Sequence, residues 1–168
     1  NPMNKIKNEE KPHKHRTERE YLTIDELRKL AQTPFYNGLL KKAFLFSCFC
    51  GLRHSDIIAL TWGDIEMDDD GNARLYIIQK KTKEAISLPL SQEAIKQLPK
   101  REDAKEDDII FKKLITLGRT NEILPKWAEQ AGIKKHITFH TARHTHATML
   151  LTLGVDLYTV SKLLGHTN

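Results

Sequence analysis

The sequence predicts a mainly α fold with a small antiparallel β-sheet insert (α+β). Apolar residues recur at helical spacing along most of the chain, and several of these runs open on Ser, Thr or Asp and close on glycine. Residues 74–90 switch to an alternating pattern rich in β-branched side chains, which is the period of a half-buried strand. At 168 residues the chain is long enough for one well-buried core and short for two.

Each element has its own reason. Residues 1–20 carry Pro2, Met3, Ile6 and Pro12 as their only apolar side chains among charges of both signs, the composition of a polar linker or arm, so the domain is expected over 21–168. Thr23 followed by Glu26 forms a capping box ahead of Leu27 and Leu30 and starts the first helix. "PFYNGLLKKAFLFSCFCGL" is a second helix, almost wholly apolar in its second half and ended by Gly51, which makes it the central buried helix. A short helix capped by Ser55 follows, and Trp62 and Ile65 lead into extended structure.

"DDDGN" is a turn, and "RLYIIQ" and "EAISLPL" are strands flanking "KKTK", giving a sheet of two or three strands. Helix resumes at "SQEAIKQL", breaks in the charged loop "PKREDAKEDD" and returns near "NEILPKWAEQAGI", starting or kinking at Pro125. The last two helices run from Thr138 to Leu153, closed by Gly154, and over "VDLYTVSKLL", capped by Asp156 and ended by Gly165.

No apolar run approaches the roughly 18 residues of a membrane span, and the N-terminal stretch has neither an apolar segment nor a small-residue cleavage site, so a cytoplasmic protein is expected. Cys48 and Cys50 stand as C-F-C, a spacing that suits neither a redox pair nor a zinc site; they read as buried thiols. The net charge is +5, and it is unevenly placed. Residues 61–110 hold 8 basic and 12 acidic residues, whereas 111–168 hold 8 basic and 3 acidic together with five of the eight histidines. That C-terminal third is the candidate surface for a polyanion.

Within it, His140, Arg143, His144 and Ala147 fall on one face of a helix, and Ala142, Met149 and Leu153 on the other. His140 and Arg143 sit in the first turn, where an anion also meets free N–H groups and the positive end of the helix dipole. Arg53, just after the glycine that ends the central helix, is a second cation, with Asp56 placed to hold it at a fixed angle. Lysines at the "KKTK" tip are a third, and His166, after a helix-ending glycine, a fourth. His140 and His144 also stand at i and i+4 as metal ligands do. The glutamate of H-E-x-x-H and an evident third ligand are missing, however, so no metal is expected.

In this order, "GLRHSDIIAL", "KKTKEAISLPL", "HTARHTHATMLL" and "LLGH" resemble the motif set of the tyrosine recombinase (phage-type integrase) family, in the variety found in integrases of mobile elements. The similarity runs from about Tyr21 to the end of the sequence and covers the family's catalytic domain, the fold of DNA breaking and rejoining enzymes. The resemblance implies site-specific recombination or integration through a 3′-phosphotyrosine intermediate. By motif, Arg53 and Arg143 would be the phosphate clamp, Lys81 the general acid, and His140 a group that positions or deprotonates the nucleophile. His166 would hydrogen-bond the phosphate. Lys81 is preferred to Lys80 and Lys83 because it precedes Thr82. His144 is expected to be a structural histidine packed behind the site.

The reaction needs neither ATP, nor a metal, nor any other cofactor, because the bond energy is kept in the phosphotyrosine. Double-stranded DNA and further protomers on it, in a tetrameric synapse of the full-length protein, are the implied partners. The family's nucleophilic tyrosine lies beyond the histidine of "LLGH", and Tyr21, Tyr36, Tyr76 and Tyr158 match no such position. The expectation is therefore a catalytic-domain fragment without its nucleophile segment, inactive alone, whose arm resembles the end of a linker from an upstream clamp domain. The alternative is a non-catalytic DNA-binding protein that uses the same basic groove.

Overall fold

The computed structural model describes residues 20–165. Residues 1–19 of the arm and His166 lie outside them. Among the described residues there are seven helices and one small sheet: α1 (Ile24–Gln32), α2 (Gly38–Cys50), α3 (His54–Ile57), β1 (Ile65–Met67), β2 (Ala73–Ile78), β3 (Ala85–Leu90), α4 (Gln92–Lys96), α5 (Leu117–Gln130), α6 (Phe139–Thr152) and α7 (Leu157–Leu163), with a 3₁₀ turn at Trp62–Asp64. The mainly helical class with an antiparallel insert is what the sequence predicts.

Local chemistry sets most boundaries. Thr23 and Glu26 close the capping box in both directions at 2.9 and 3.2 Å. Asn37 caps α2, and Gly51 ends it at φ +73, a conformation that carries little penalty only for glycine. Ser91 caps α4 and Asp156 caps α7. Two expectations need correction. The cap residue of α3 is Arg53, in extended backbone and without a side-chain cap bond, so Ser55 lies inside the helix rather than at its start. Helix α5 does not start at Pro125: its cap is Thr116, whose hydroxyl accepts from Arg119 N, and it runs over Leu117–Gln130 with the proline inside. Tertiary burial of Ile123, Leu124 and Trp127 outweighs the lost backbone donor there.

Helix α2 is the hub, as its composition implies: Phe44, Phe46 and Cys48 are fully buried. The Phe44 ring meets Trp127 of α5 at 6.0 Å and Phe139 of α6 at 5.9 Å, both edge-on, so one side chain joins three helices. Burial pushes the Cys50 thiol up to about 12 and the Cys48 thiol well above its ordinary range, so both stay protonated.

The sheet runs in the order β1-β2-β3, all antiparallel. Leu75 pairs with Ile65 on one side and Leu88 on the other, which turns Ala73, Leu75, Ile86, Leu88 and Leu90 to the core. Pro89 is accommodated because β3 is an edge strand. The register places Lys80–Lys83 at the hairpin tip, closed by Lys83 N donating to Gln79 O at 3.0 Å with Lys83 itself at φ +60. This tip is carried to the same end of the molecule as the start of α6.

Candidate active site

Gly51 turns the chain out of α2 so that Arg53 follows within two residues. The turn is tightly enclosed: a Cβ at Gly51 would lie 2.6 Å from the His146 ring and 2.8 Å from Leu164. The backbone carbonyl at this turn is met by Arg143, whose Nη1 donates to the Gly51 carbonyl at 2.8 Å and whose Nη2 donates to the Leu164 carbonyl at the end of α7. Arg143 is thus a buried cation, 3% exposed, bonded to two backbone oxygens. Burial, and then the neighbouring charge of Arg53, lower its pKa to about 10, while Asp56 acts in the opposite sense. It remains charged at neutral pH. Two guanidiniums that oppose each other in this way favour any anion placed between them.

Arg53 is half-buried, and its Nη1 donates to Oε1 of Gln79 at 2.9 Å. Asp56 does not hold it as expected. Its Oδ1 accepts from the backbone N of Lys80 at 2.8 Å, so the carboxylate anchors the hairpin instead. Its Oδ2 is buried without a hydrogen-bond partner among the described residues. The residue that sequence reasoning passed over is Gln79. It is fully buried at the base of the hairpin, and its Oε1 also accepts from Thr82 Oγ1 at 2.8 Å, while its Nε2 donates to the Leu164 carbonyl at 3.1 Å. A polar side chain closing a strand that otherwise alternates gives no signal of this in the sequence.

The start of α6 sets the histidines. Thr138 N donates to Thr141 Oγ1 at 3.0 Å and Phe139 N to Asn121 Oδ1 of α5 at 2.8 Å, which orient the first turn and leave His140 exposed on it. His144, one turn on, meets the His140 ring edge-on at 4.6 Å. The assignment of His144 as the histidine behind the site is therefore wrong. That position belongs to His146, which is 5% exposed and packed on Gly51; burial lowers its pKa to about 4 despite a hydrogen bond with the backbone of Cys48. His54 is a second packed histidine, its Nε2 3.1 Å from the Ile115 carbonyl and its ring edge-on to Phe139 at 5.1 Å.

Arg53, Lys81, His140 and Arg143 line both of two adjoining cavities, of about 270 and about 510 Å³. His144 and Ala147 line the larger one, along with Leu157 and Ser161 of α7. The sequence-derived cations thus come together with Lys81 on the hairpin at the edge, and His166 lies outside the described residues. A cavity of about 570 Å³ elsewhere, against Tyr76, Ile78 and Ser87, has no cation in its lining and offers a phosphate nothing. None of the four tyrosines lines the cationic pair of cavities. No group of three or more metal-ligating side chains occurs among the described residues. None of their helices is long and apolar enough to cross a membrane.

The sequence profile of the Phage integrase family matches residues 20–168. Among curated proteins, tyrosine recombinase XerC of Chlamydia caviae is 32% identical over 162 residues, covering 88% of this chain and 51% of that protein. The chain spans about half the length of the curated relatives it matches. Among solved structures, the XerH site-specific recombinase bound to its difH substrate superposes with a TM-score of 0.71 at 20% identity, over 88% of this chain and 48% of that one. The lambda integrase catalytic core gives 0.66 at 23% identity, over 89% of this chain and 93% of that one. At these identities the likeness is one of fold.

Proposed function

The chain belongs to the phage integrase family, and from that premise we propose that it is the strand-cleaving portion of a site-specific DNA recombinase. The observation that carries the reading is the convergence of Arg53 and Arg143, far apart in sequence, on one cavity that also takes Lys81 and His140.

A duplex DNA phosphodiester seated there has its non-bridging oxygens between the two guanidiniums. Attack by a tyrosine oxygen forms the bond to phosphorus and adds negative charge to those oxygens, so the clamp strengthens toward the transition state. Lys81 gives its proton to the departing 5′-oxygen, leaving a free 5′-hydroxyl, and His140 takes the proton of the attacking tyrosine. The product keeps one phosphodiester as the 3′-phosphotyrosine, so the strand is rejoined without ATP, and no step calls for a metal. The attacking oxygen comes from a tyrosine other than Tyr21, Tyr36, Tyr76 and Tyr158. His166, directly after Gly165, supports the phosphate. Residues 21–168 form the catalytic unit and 1–20 the linker arm; the protein works in the cytoplasm, with four protomers assembled on DNA.

A second reading, DNA binding without chemistry, draws on the absence of those four tyrosines from the cavity lining. A nicked suicide substrate separates the two. The first reading expects a covalent protein–DNA adduct from the full-length parent, lost in Arg53→Ala and Arg143→Ala; DNA retention with no adduct from the parent supports the second.

A further inference from the structure

We infer that Gln79 is a positioning residue of this site, tying the hairpin that carries Lys81 to both arginines through one buried side-chain amide. The inference rests on the reading of Arg53, Lys81 and Arg143 as the phosphate machinery. Three segments meet at Gln79: the turn after α2, the hairpin and the end of α7. Its Oε1 takes two donors, Arg53 Nη1 at 2.9 Å and Thr82 Oγ1 at 2.8 Å. Its Nε2 donates to the Leu164 carbonyl at 3.1 Å, the same oxygen that accepts from Arg143 Nη2. Its backbone pairs with Glu84 and Lys83 across the hairpin neck at 2.9 and 3.0 Å.

The geometry suits positioning rather than chemistry. Gln79 is 0% exposed and does not line either cationic cavity, so it touches no phosphate seated there. The amide is also chemically specific. Arg53 and Thr82 need an acceptor and the Leu164 carbonyl needs a donor; glutamine supplies both from one planar group without adding a charge beside the clamp. The fit is close: a Cβ at Gly165 would lie 2.4 Å from Oε1, so the end of α7 rests directly on this side chain. Thr82 adjoins Lys81 in sequence, so the bond to Thr82 sets where that lysine stands relative to the Arg53 head group.

The test uses the full-length parent on a nicked suicide substrate, reading single-turnover adduct formation and duplex affinity separately. Gln79→Met preserves side-chain length and buried packing while removing both polar ends. It should slow adduct formation by about 10²-fold, the scale of a misplaced catalytic group. Its DNA Kd should stay within about twofold of the parent, since only a transition-state arrangement is lost. In a Lys81→Ala background the same change should cost far less, because the group it positions is already gone. Should Gln79→Met fold poorly, Thr82→Val removes one bond at a half-buried turn position and should still slow the adduct about tenfold at unchanged Kd. Parent-like rates in either folded variant, alongside an impaired Arg53→Ala, overturn the role of Gln79. A parent-like Arg53→Ala overturns the underlying reading of the site itself.

Discussion

Arg143 and Lys81 face the same cavities and are held in opposite ways. The guanidinium on α6 is 3% exposed, bonded to the carbonyls that end α2 and α7 and backed by the buried His146. The lysine stands exposed on a four-residue turn, secured through its neighbours: Lys80 N on Asp56, and Thr82 on Gln79. The difference follows the work proposed for each. Stabilising charge that develops at a fixed point needs donors in place before the reaction, because their reorganisation then adds nothing to the barrier. Delivering a proton to an oxygen that moves away needs reach, and a four-carbon stem on a turn has it.

The widest separation between the two should come from Arg143→Ala in the full-length parent, with adduct formation down by about 10³-fold. The same change should lower Tm substantially, because the buried Gly51 carbonyl loses its side-chain donor, the Leu164 carbonyl keeps only Gln79 Nε2, and a cavity opens beneath Gly51. Lys81→Ala should reduce adduct formation by about 10²-fold and leave Tm unchanged. A substrate whose departing 5′-oxygen is replaced by sulfur needs no proton donor, so it should restore most of the Lys81→Ala rate and none of the Arg143→Ala rate. Equal rescue of both would dissolve the distinction between clamp and acid.

The buried side should also be the pH-sensitive one. His146 titrates at about 4 in the folded chain because of burial, against about 6.5 unfolded. The folded state therefore binds fewer protons between those values. Its contribution is fully present above pH 6.5 and is lost as pH falls toward 4; burial of His54 acts with the same sign. Tm should fall by an amount equivalent to roughly 2 to 3 kcal/mol across that window, and His146→Leu should flatten the curve. A flat curve in the parent would remove the claim that the packing behind Arg143 is closed to solvent.

The smallest effect is expected far from both. Lys135 bonds Glu26 at 2.7 Å and the Tyr21 carbonyl at 2.8 Å, yet the pair is about one-third exposed. Lys135→Met should cost less than about 1 kcal/mol and leave adduct formation alone, which makes it a control for general destabilisation.

Much of this molecule was determined by local sequence. Thr23 with Glu26, Asn37, Ser91 and Asp156 mark helix starts because a side-chain oxygen can reach the free backbone N–H groups ahead of it, and Gly51 and Gly165 mark ends because they adopt positive φ. Period-2 alternation placed the hairpin, and with it Lys81. The residue types of the proposed site, two arginines, a lysine and a histidine, were legible for the same reason: each stands in a motif a few residues long. Depth and pairing were not. His144 and His146 flank Arg143 on one helix, and only the seam where α6 packs on α2 and the end of α7 decides that His146 is enclosed and His144 faces the cavity. Asp56 is spaced to reach Arg53, but the hairpin brings a backbone N–H to it at 2.8 Å, and Arg53 finds Gln79 instead. Such partners are brought together by the packing of distant segments, so no short window of sequence contains both ends of the bond.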